Sequence, residues 1–580
     1  MLKLALFGCV IGWTSAVTAA APLSAVTPQT AAVASPDAYG AKTARRILQQ
    51  GGNAVDAAIA TAFSLAVTYP EAGNIGGGGF MVIWFEGQPY YLDYRETAPS
   101  ASYRDMYLDD DRQVIDNLSL IGHLASGVPG TVMGMWQAHQ RFGSLPWADL
   151  MQPAIELAEH GFKVPETLQQ YGGSALERYQ GKTNFADYFA SMTPGELFQQ
   201  PELAATLGRI AEQGADDFYQ GKTAELIVAE MQRGGGLISF EDLASYQALW
   251  REPLIFPWRA YQLITVAPPS SGGIALSQLL SLKQHRQHDF AGVDHNSAQY
   301  VHLLAEISKR VFADRADYLG DPAFTRVPQQ QLLAADYLAR RASEINPKAI
   351  SVTEDVLPGL ESPQTTHFSI VDHAGNAVAN TYTLNLDFGS GVVVSGAGFL
   401  MNNEMDDFAI KPGVPNAFGV VGGDANAIEP GKRMLSSMTP SLLVQENEVR
   451  LVIGTPGGST IFTSVFQVIN NLYDFGMSLE DAVAAPRFHH QLLPKDQIAI
   501  EPYQLLSNEV QQQLGAMGYR LHLQRWSLGD IQAIQRTAET ITAVADPRGR
   551  GLALLVESAK VKEEPNQTEP DATSVLGSTM

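Results

Sequence analysis

The 580-residue sequence has one cysteine, Cys9, and it lies inside an apolar N-terminal stretch. Once that stretch is removed no thiol remains, which excludes disulfides, cysteine nucleophiles and cysteine metal sites from the rest of the chain. Basic residues are scarce: 38 Lys and Arg stand against 61 Asp and Glu, a net charge of -23. Neither nucleic acid nor an anionic membrane attracts such a surface, so both are set aside as partners. An anionic ligand needs a locally basic site against this background. The middle of the chain has no Pro/Ser-rich or charge-run linker, and no repeat at a fixed period. What is present, 45% hydrophobic and 17% charged residues, is the composition of a globular protein with ample core.

The ends read differently from the middle. Lys3, the apolar run Leu4 to Val17 and the small residues Val17-Thr18-Ala19 or Ala19-Ala20-Ala21 predict a secretory signal over 1–19, with 21 as the other cleavage point. The run is short and broken by Gly, Thr and Ser, which disfavours a membrane anchor. Leu6-Phe7-Gly8-Cys9 faintly suggests a lipoprotein signal, but the apolar run before it is too short. The expected location is periplasmic or secreted. At the other end, residues 560–580 are polar and proline-broken and read as a solvated tail.

Between the ends, strands and helices alternate. Pro36 to Gln50 reads as a helix ended by Gly51-Gly52, and Asn53 caps an alanine-rich helix to about Thr68. Phe80–Phe85 and Tyr90–Tyr94 predict a hairpin across Glu86-Gly87. Leu451–Gly454 predicts a strand feeding Gly457-Gly458, and Ile461–Phe475 is apolar at helical spacing. Strands inside and helices outside suggest an α/β sandwich.

The most informative stretch begins at Thr365. Phe368–Val371 is a short apolar strand, His373-Ala374-Gly375-Asn376 carries turn chemistry, and Ala377–Leu384 returns. A loop centred on Ala374 sets Thr365 opposite Thr383, with Thr381 and Asn385 on the same face; an even-numbered loop shifts this by one residue and spoils it. Thr-Thr is also ordinary strand sequence. It becomes a nucleophile if the chain is cut before Thr365, because a freed α-amino group, with a pKa of roughly 7.7–8.0, supplies a base on the same residue.

Motifs along nearly the whole mature chain turn that possibility into an expectation. They include Gly51-Gly52-Asn53-Ala54-Val55-Asp56-Ala57-Ala58, Gly73-Asn74-Ile75-Gly76-Gly77-Gly78-Gly79-Phe80, Leu92-Asp93-Tyr94-Arg95-Glu96-Thr97-Ala98-Pro99 and Ser126-Gly127-Val128-Pro129-Gly130. Further on come Pro268-Pro269-Ser270-Ser271-Gly272-Gly273, Ala313-Asp314-Arg315, Thr365-Thr366-His367, Asn402-Asn403-Glu404-Met405-Asp406-Asp407-Phe408, Leu435-Ser436-Ser437-Met438, Pro456-Gly457-Gly458-Ser459 and Pro486-Arg487-Phe488-His489-His490. In this order they resemble the γ-glutamyltranspeptidases (glutathione hydrolases), N-terminal nucleophile hydrolases. The resemblance implies an α+β, four-layer αββα sandwich, two stacked antiparallel sheets between helical layers. It implies a precursor cut between Gln364 and Thr365 into a large subunit, 20–364, and a small subunit, 365–559, intertwined in one catalytic domain.

It also implies roles. Thr365 is the nucleophile, with Thr383 beside it, and Gly457 and Gly458 form the oxyanion hole. Arg95, Ser436 and Ser437 hold the α-carboxylate of a γ-glutamyl group; Asn385, Glu404 and Asp407 hold its α-ammonium. The substrates are glutathione or a related donor, and water or an amino acid or peptide acceptor; no cofactor and no metal are implied. Lys411-Pro412-Gly413-Val414-Pro415-Asn416-Ala417-Phe418-Gly419 matches the lid of lidded members, with Phe418 lacking the hydroxyl common there. Some bacterial relatives have Gln at Glu404, and relatives end near the segment matching Asp546-Pro547-Arg548.

Read from the residues alone, several of these have plainer uses. Gly457-Gly458 is also a structural turn, Arg95 a surface ion-pair residue, and Glu404–Asp407 an acidic turn without the alternation of an EF-hand. Gly76–Gly79 lacks the Gly-Lys-Ser/Thr of a phosphate loop. His489-His490 is adjacent, which suits one metal poorly. His367 is expected to be packed or hydrogen-bonded rather than the base for Thr365. Two other functions remain: an acylase for glutaryl β-lactam side chains, which has no ammonium to satisfy Glu404 and Asp407, and a periplasmic amino-acid or peptide-binding protein that never cleaves itself.

Overall fold

The computed structural model describes residues 24–25, 30–352, 365–411 and 423–558. The predicted signal segment with Cys9, Gln364, the lid from Pro412 to Gly419 with Phe418, and the tail over 560–580 lie outside the described residues.

Two seven-stranded sheets form the centre. The first runs, in spatial order, Leu552–Val556, Ala31–Ser35, Thr366–Val371, Ala377–Thr383, Gly78–Phe85, Gln88–Tyr94 and Leu249–Arg251. The second runs Ser24–Ala25, Ile541–Ala545, Gln532–Arg536, Glu448–Gly454, Ser441–Gln445, Tyr261–Thr265 and Leu254–Trp258. Every neighbouring pair in both is antiparallel. The strand Leu552–Val556 carries the fold past Asp546-Pro547-Arg548, beyond the end expected from the resemblance.

Period-two alternation sorts the side chains into layers. Ala32, Ala34, Phe80 and Val82 from the first sheet meet Ile264, Leu442, Val452 and Ile534 from the second. Their strand neighbours Val33, Met81, Ile370 and Val378 face the other way, into a core with the helices Ala38–Gln49 and Ala54–Thr68. Leu263, Leu443, Leu451 and Ile453 likewise pack under Gly272–His285, Ala298–Tyr318 and Thr460–Tyr473. The result is the expected α+β arrangement of helix, sheet, sheet, helix.

The local signals act as read. Asn53 accepts from the amides of Val55 and Asp56, while the Asp56 carboxylate accepts from the Asn53 amide, a reciprocal cap. Glu86 (φ 49°) and Gly87 (φ 77°) form the two-residue turn between Gly78–Phe85 and Gln88–Tyr94.

Candidate active site

The hairpin at Thr365 has the odd loop. Thr366 pairs with Tyr382, His367 with Thr381 and Val371 with Ala377, and the same register sets Thr365 across from Thr383. Asp372 fixes the turn: its Oδ1 accepts from the amides of Ala374 and Asn376, each at 2.9 Å, and Gly375 takes φ 86°. Beneath the hairpin, a Cβ on Gly77 would lie 2.0 Å from the Thr383 carbonyl oxygen. The glycines of 76–79 thus let the next strand close against the hairpin, a packing role.

Alternation turns Thr365, His367 and Ser369 toward the second sheet. The His367 ring presses on Gly454, where a Cβ would lie 2.3 Å away, and Ser369 Oγ donates to the Gln532 carbonyl at 2.9 Å. That donation leaves Ser369 Oγ to accept from His367 Nε2 at 3.1 Å, so Nδ1 accepts the Thr381 hydroxyl at 2.7 Å. Both ring nitrogens are committed away from Thr365, and burial pushes the imidazole down to about 3. His367 is a neutral packing histidine, as expected. Thr383 Oγ1 accepts the Asn385 amide at 2.7 Å.

Thr365, 7% exposed, opens onto a cavity of about 120 Å³ whose wall also contains Pro456 and Gly457. Gly457 and Gly458 join the strand Glu448–Gly454 to the helix Thr460–Tyr473 with φ of 137° and 53°, both in the region that side chains avoid. The first amides of a helix have no intrahelical acceptor, so this turn is a place where N–H donors face outward. A Cβ on Gly457 would lie 2.3 Å from Thr460 Oγ1.

Arg95, one residue past the strand Gln88–Tyr94, is 1% exposed rather than a surface residue. Its Nη1 lies 2.6 Å from the Glu404 carboxylate and 3.4 Å from that of Glu96, its Nη2 donates to Asp407, and its Nε donates to the Met434 carbonyl at 3.3 Å. Burial works against the charge, but Glu404, then Glu96 and Asp407, hold the guanidinium protonated beyond its ordinary range. The acids feel the same burial: Glu96 is pushed up to about 7, and Glu404 and Asp407 rise above the ordinary carboxylate range, opposed by Arg95. One Glu404 carboxylate oxygen stands in the ion pair with Arg95. Glu404 and Asp407 sit on one 3₁₀ turn. Nearby, Asn385 takes φ 79° and its Nδ2 donates to the Asn403 carbonyl at 3.0 Å.

Ser436 and Ser437 follow Met434 and Leu435, whose carbonyls the Arg95 guanidinium reaches. Ser436 Oγ accepts the Met438 amide at 3.1 Å, and Ser437 Oγ accepts Arg315 Nη2 at 3.1 Å. Burial pushes Arg315 down to about 10. The structure therefore brings the two expected half-sites into contact: Arg95 of the anion side is ion-paired to Glu404 and Asp407 of the cation side. None of these three lines the cavity onto which Thr365 opens.

Sequence reasoning assigned no role to Glu96, Arg315 or Arg433. Arg433 donates to Asp93 at 2.7 Å and to the Arg95 carbonyl at 3.1 Å, fixing the backbone that aims Arg95. Two of the three lie in motifs already singled out, Arg95-Glu96 and Asp314-Arg315, but nothing in a linear sequence says that Glu96 packs against the Arg95 guanidinium, that Arg315 reaches Ser437 or that Arg433 reaches the Arg95 carbonyl.

The Gamma-glutamyltranspeptidase family model matches residues 40–556. The glutathione hydrolase proenzyme of Pseudomonas aeruginosa is 63% identical over 526 residues, 91% of this chain and 94% of that one. The γ-glutamyltranspeptidase of Pseudomonas nitroreducens, solved with L-DON, is 61% identical over 56% of this chain and 96% of its own, with a TM-score of 0.55. The cephalosporin acylase of Bacillus halodurans is 26% identical but covers 94% of this chain and 99% of its own with a TM-score of 0.80, a likeness of the complete fold. The chain belongs to the γ-glutamyltranspeptidase family.

Proposed function

We propose that the chain is an exported γ-glutamyltranspeptidase and glutathione hydrolase that cuts itself between Gln364 and Thr365. Thr365 Oγ attacks the Gln364 carbonyl, an N→O acyl shift gives an ester, and water opens it. The products are a large subunit, 20–364, and a small subunit, 365–559, that carries the tail 560–580. In the processed enzyme the freed α-amine takes the Thr365 hydroxyl proton as Oγ attacks the γ-carbonyl of the donor, Thr383 orients that hydroxyl, and the amides of the Gly457-Gly458 turn stabilise the oxyanion. The amine leaves with the proton, and the Thr365 ester passes to water or to an amino acid or peptide.

One observation carries this reading: Thr365 faces Thr383 and shares a cavity wall with Gly457. The charge cluster supports the donor class. A γ-glutamyl group carries an α-carboxylate and an α-ammonium, and a zwitterion exchanges both partners of the Arg95–Glu404–Asp407 ion pair at once, its carboxylate going to Arg95, Ser436 and Ser437 and its ammonium to Glu404, Asp407 and Asn385. A glutaryl donor has no ammonium and leaves the carboxylates without a cation, which sets the acylase reading second despite the shared fold. Export rests on the N-terminal sequence; among the described residues no helix is long and apolar enough to cross a membrane.

A denaturing gel of the purified protein tests the proposal. It is expected to show two bands, the smaller beginning Thr-Thr-His-Phe, while Thr365→Ala stays a single, inactive chain. An intact wild-type chain that hydrolyses γ-glutamyl anilides overturns it.

A further inference from the structure

The cavity beside Thr365 contains more acid than the donor site accounts for. Glu71, Asp387 and Asp530 line it, with Arg548 and Arg550 and the rings of Tyr69, Tyr171 and Trp526. The arginines are already engaged. Arg548 binds Glu501 at 2.5 Å and Asp546 at 3.1 Å, and Arg550 binds Glu71 and Asp37. Glu71 is 3% exposed, and among the described residues its Oε2 has no hydrogen-bond partner.

Asp387 and Glu71 are held side by side through the backbone: the Phe388 amide donates to the Glu71 carbonyl at 3.1 Å. The Asp387 carbonyl accepts the Tyr179 hydroxyl at 3.0 Å and Arg178 at 3.4 Å, so the loop is fixed without using the Asp387 carboxylate. Asp530 Oδ1 accepts from Gln532 at 2.9 Å. The wall thus carries a surplus of carboxylate beside the nucleophile, backed by aromatic rings, and the chemistry that answers it is an ammonium group.

We propose that this cavity binds the amine half of the reaction, the departing amine of the donor and the incoming amine of an amino acid or short peptide, and that Asp387 exchanges the proton between ammonium and amine. This rests on the transferase reading above and assigns its second substrate to named residues. When the C–N bond of the donor breaks, the amine leaves with the proton taken from Thr365 Oγ, and a protonated Asp387 gives it a second proton to form the ammonium. In the reverse direction the carboxylate of Asp387 takes one proton from the acceptor ammonium. The neutral amine attacks the Thr365 ester, its remaining excess proton passes to the Thr365 α-amine, and Oγ regains it as the C–O bond breaks. Burial pushes Asp387 up to about 7, opposed by Arg178 and reinforced by Glu71, which suits exchange with an amine near neutrality. Glu71 and Asp530 are raised by the same burial, and Tyr171 is pushed up to about 12.

The test uses the processed two-subunit enzyme and the variant Asp387→Asn, checked for processing by gel and for folding by thermal melting. Two ratios are read. The first is transfer of the γ-glutamyl group to glycylglycine over its hydrolysis, from pH 6 to 9. The second is turnover of glutathione, whose alkylamine takes the second proton to become an ammonium, over turnover of a γ-glutamyl 4-nitroanilide, whose weakly basic aniline takes only the first. Asp387→Asn is expected to lower both by about tenfold or more. In the wild type the first ratio should climb through about pH 7, and in the variant only toward the acceptor amine's own pKa. Both ratios unchanged, or all four activities falling in parallel, overturn the proposal. If Asp387→Asn fails to process, Asp387→Ser, which also removes the carboxylate, is read by the same two ratios against the same criteria. A wild type that turns over neither donor contradicts the functional reading itself; one that hydrolyses both but never transfers contradicts only the acceptor, and the second ratio still decides.

Discussion

Arg95 shows how burial converts a common residue into a specific one. An exposed arginine in an acidic protein makes weak, screened pairs, but at 1% exposure, with Glu404, Asp407 and Glu96 around it, its charge is held in one place. Its planar fork answers a carboxylate in a way that a point charge does not. Arg95→Lys is therefore expected to weaken γ-glutamyl donors by about 2 kcal/mol, a rise in KM of roughly 30-fold on a γ-glutamyl anilide. Asp407→Asn removes a counter-charge of the donor ammonium and should act in the same direction. Unchanged KM and kcat in both variants would remove the assigned roles. The identity of Arg95, Glu404 and Asp407 was legible in the sequence by resemblance. Their mutual ion pair was not, because side chains 309 and 312 positions apart in the chain meet only through the fold.

At the scale of elements, the hairpin was the most legible part. Turn chemistry over His373–Asn376 and a β-branched return strand located the hairpin, while the loop parity that sets Thr365 across from Thr383 came only with the observed pairing of Thr366 with Tyr382. The sandwich was less legible. Strand and helix order alone suggested only α/β layering, whereas antiparallel pairing of strands from both ends of the chain is set by long-range packing. The glycine turn joins the two levels. Gly457→Ala puts a Cβ 2.3 Å from Thr460 Oγ1 at φ 137°, so it is expected to move the oxyanion donors and lower kcat by about 100-fold or more in steady-state assays of processed enzyme. Retained kcat would assign the turn to structure alone. Gly454→Ala, with a Cβ 2.3 Å from the His367 ring, should instead destabilise the inter-sheet packing by about 1–3 kcal/mol, read as a lower thermal midpoint.

For the molecule as a whole, buried histidines set part of the acid response. Among the described residues His490 has no hydrogen-bond partner on either ring nitrogen, and burial, with Lys309 nearby, pushes it down to about 3. Its folded pKa is below the unfolded value of about 6.5, so the unfolded chain binds the extra proton between those limits and stability falls as pH falls through that window. Raised acids such as Glu96 and Asp387 act with the opposite sign, so the histidine contribution is best isolated as a difference. His490→Leu should gain relative to wild type by about 1.4 kcal/mol for each pH unit from 6.5 toward 3. Thermal midpoints of the two proteins at pH 7, 6, 5 and 4 should diverge steadily; a constant offset would show that His490 is not held neutral by the fold.

The central claim is that Thr365 carries the γ-glutamyl group, and trapping that intermediate tests it most directly. Processed enzyme mixed with excess γ-glutamyl anilide and quenched in acid during the first turnovers can be digested and mapped by mass spectrometry. The account predicts one γ-glutamyl adduct, on the Thr365 side chain of the peptide that begins Thr-Thr-His-Phe, and its loss when glycylglycine is added before the quench. An adduct on any other residue, or anilide cleavage at full rate by a chain in which Thr365 is still joined to Gln364, would contradict it.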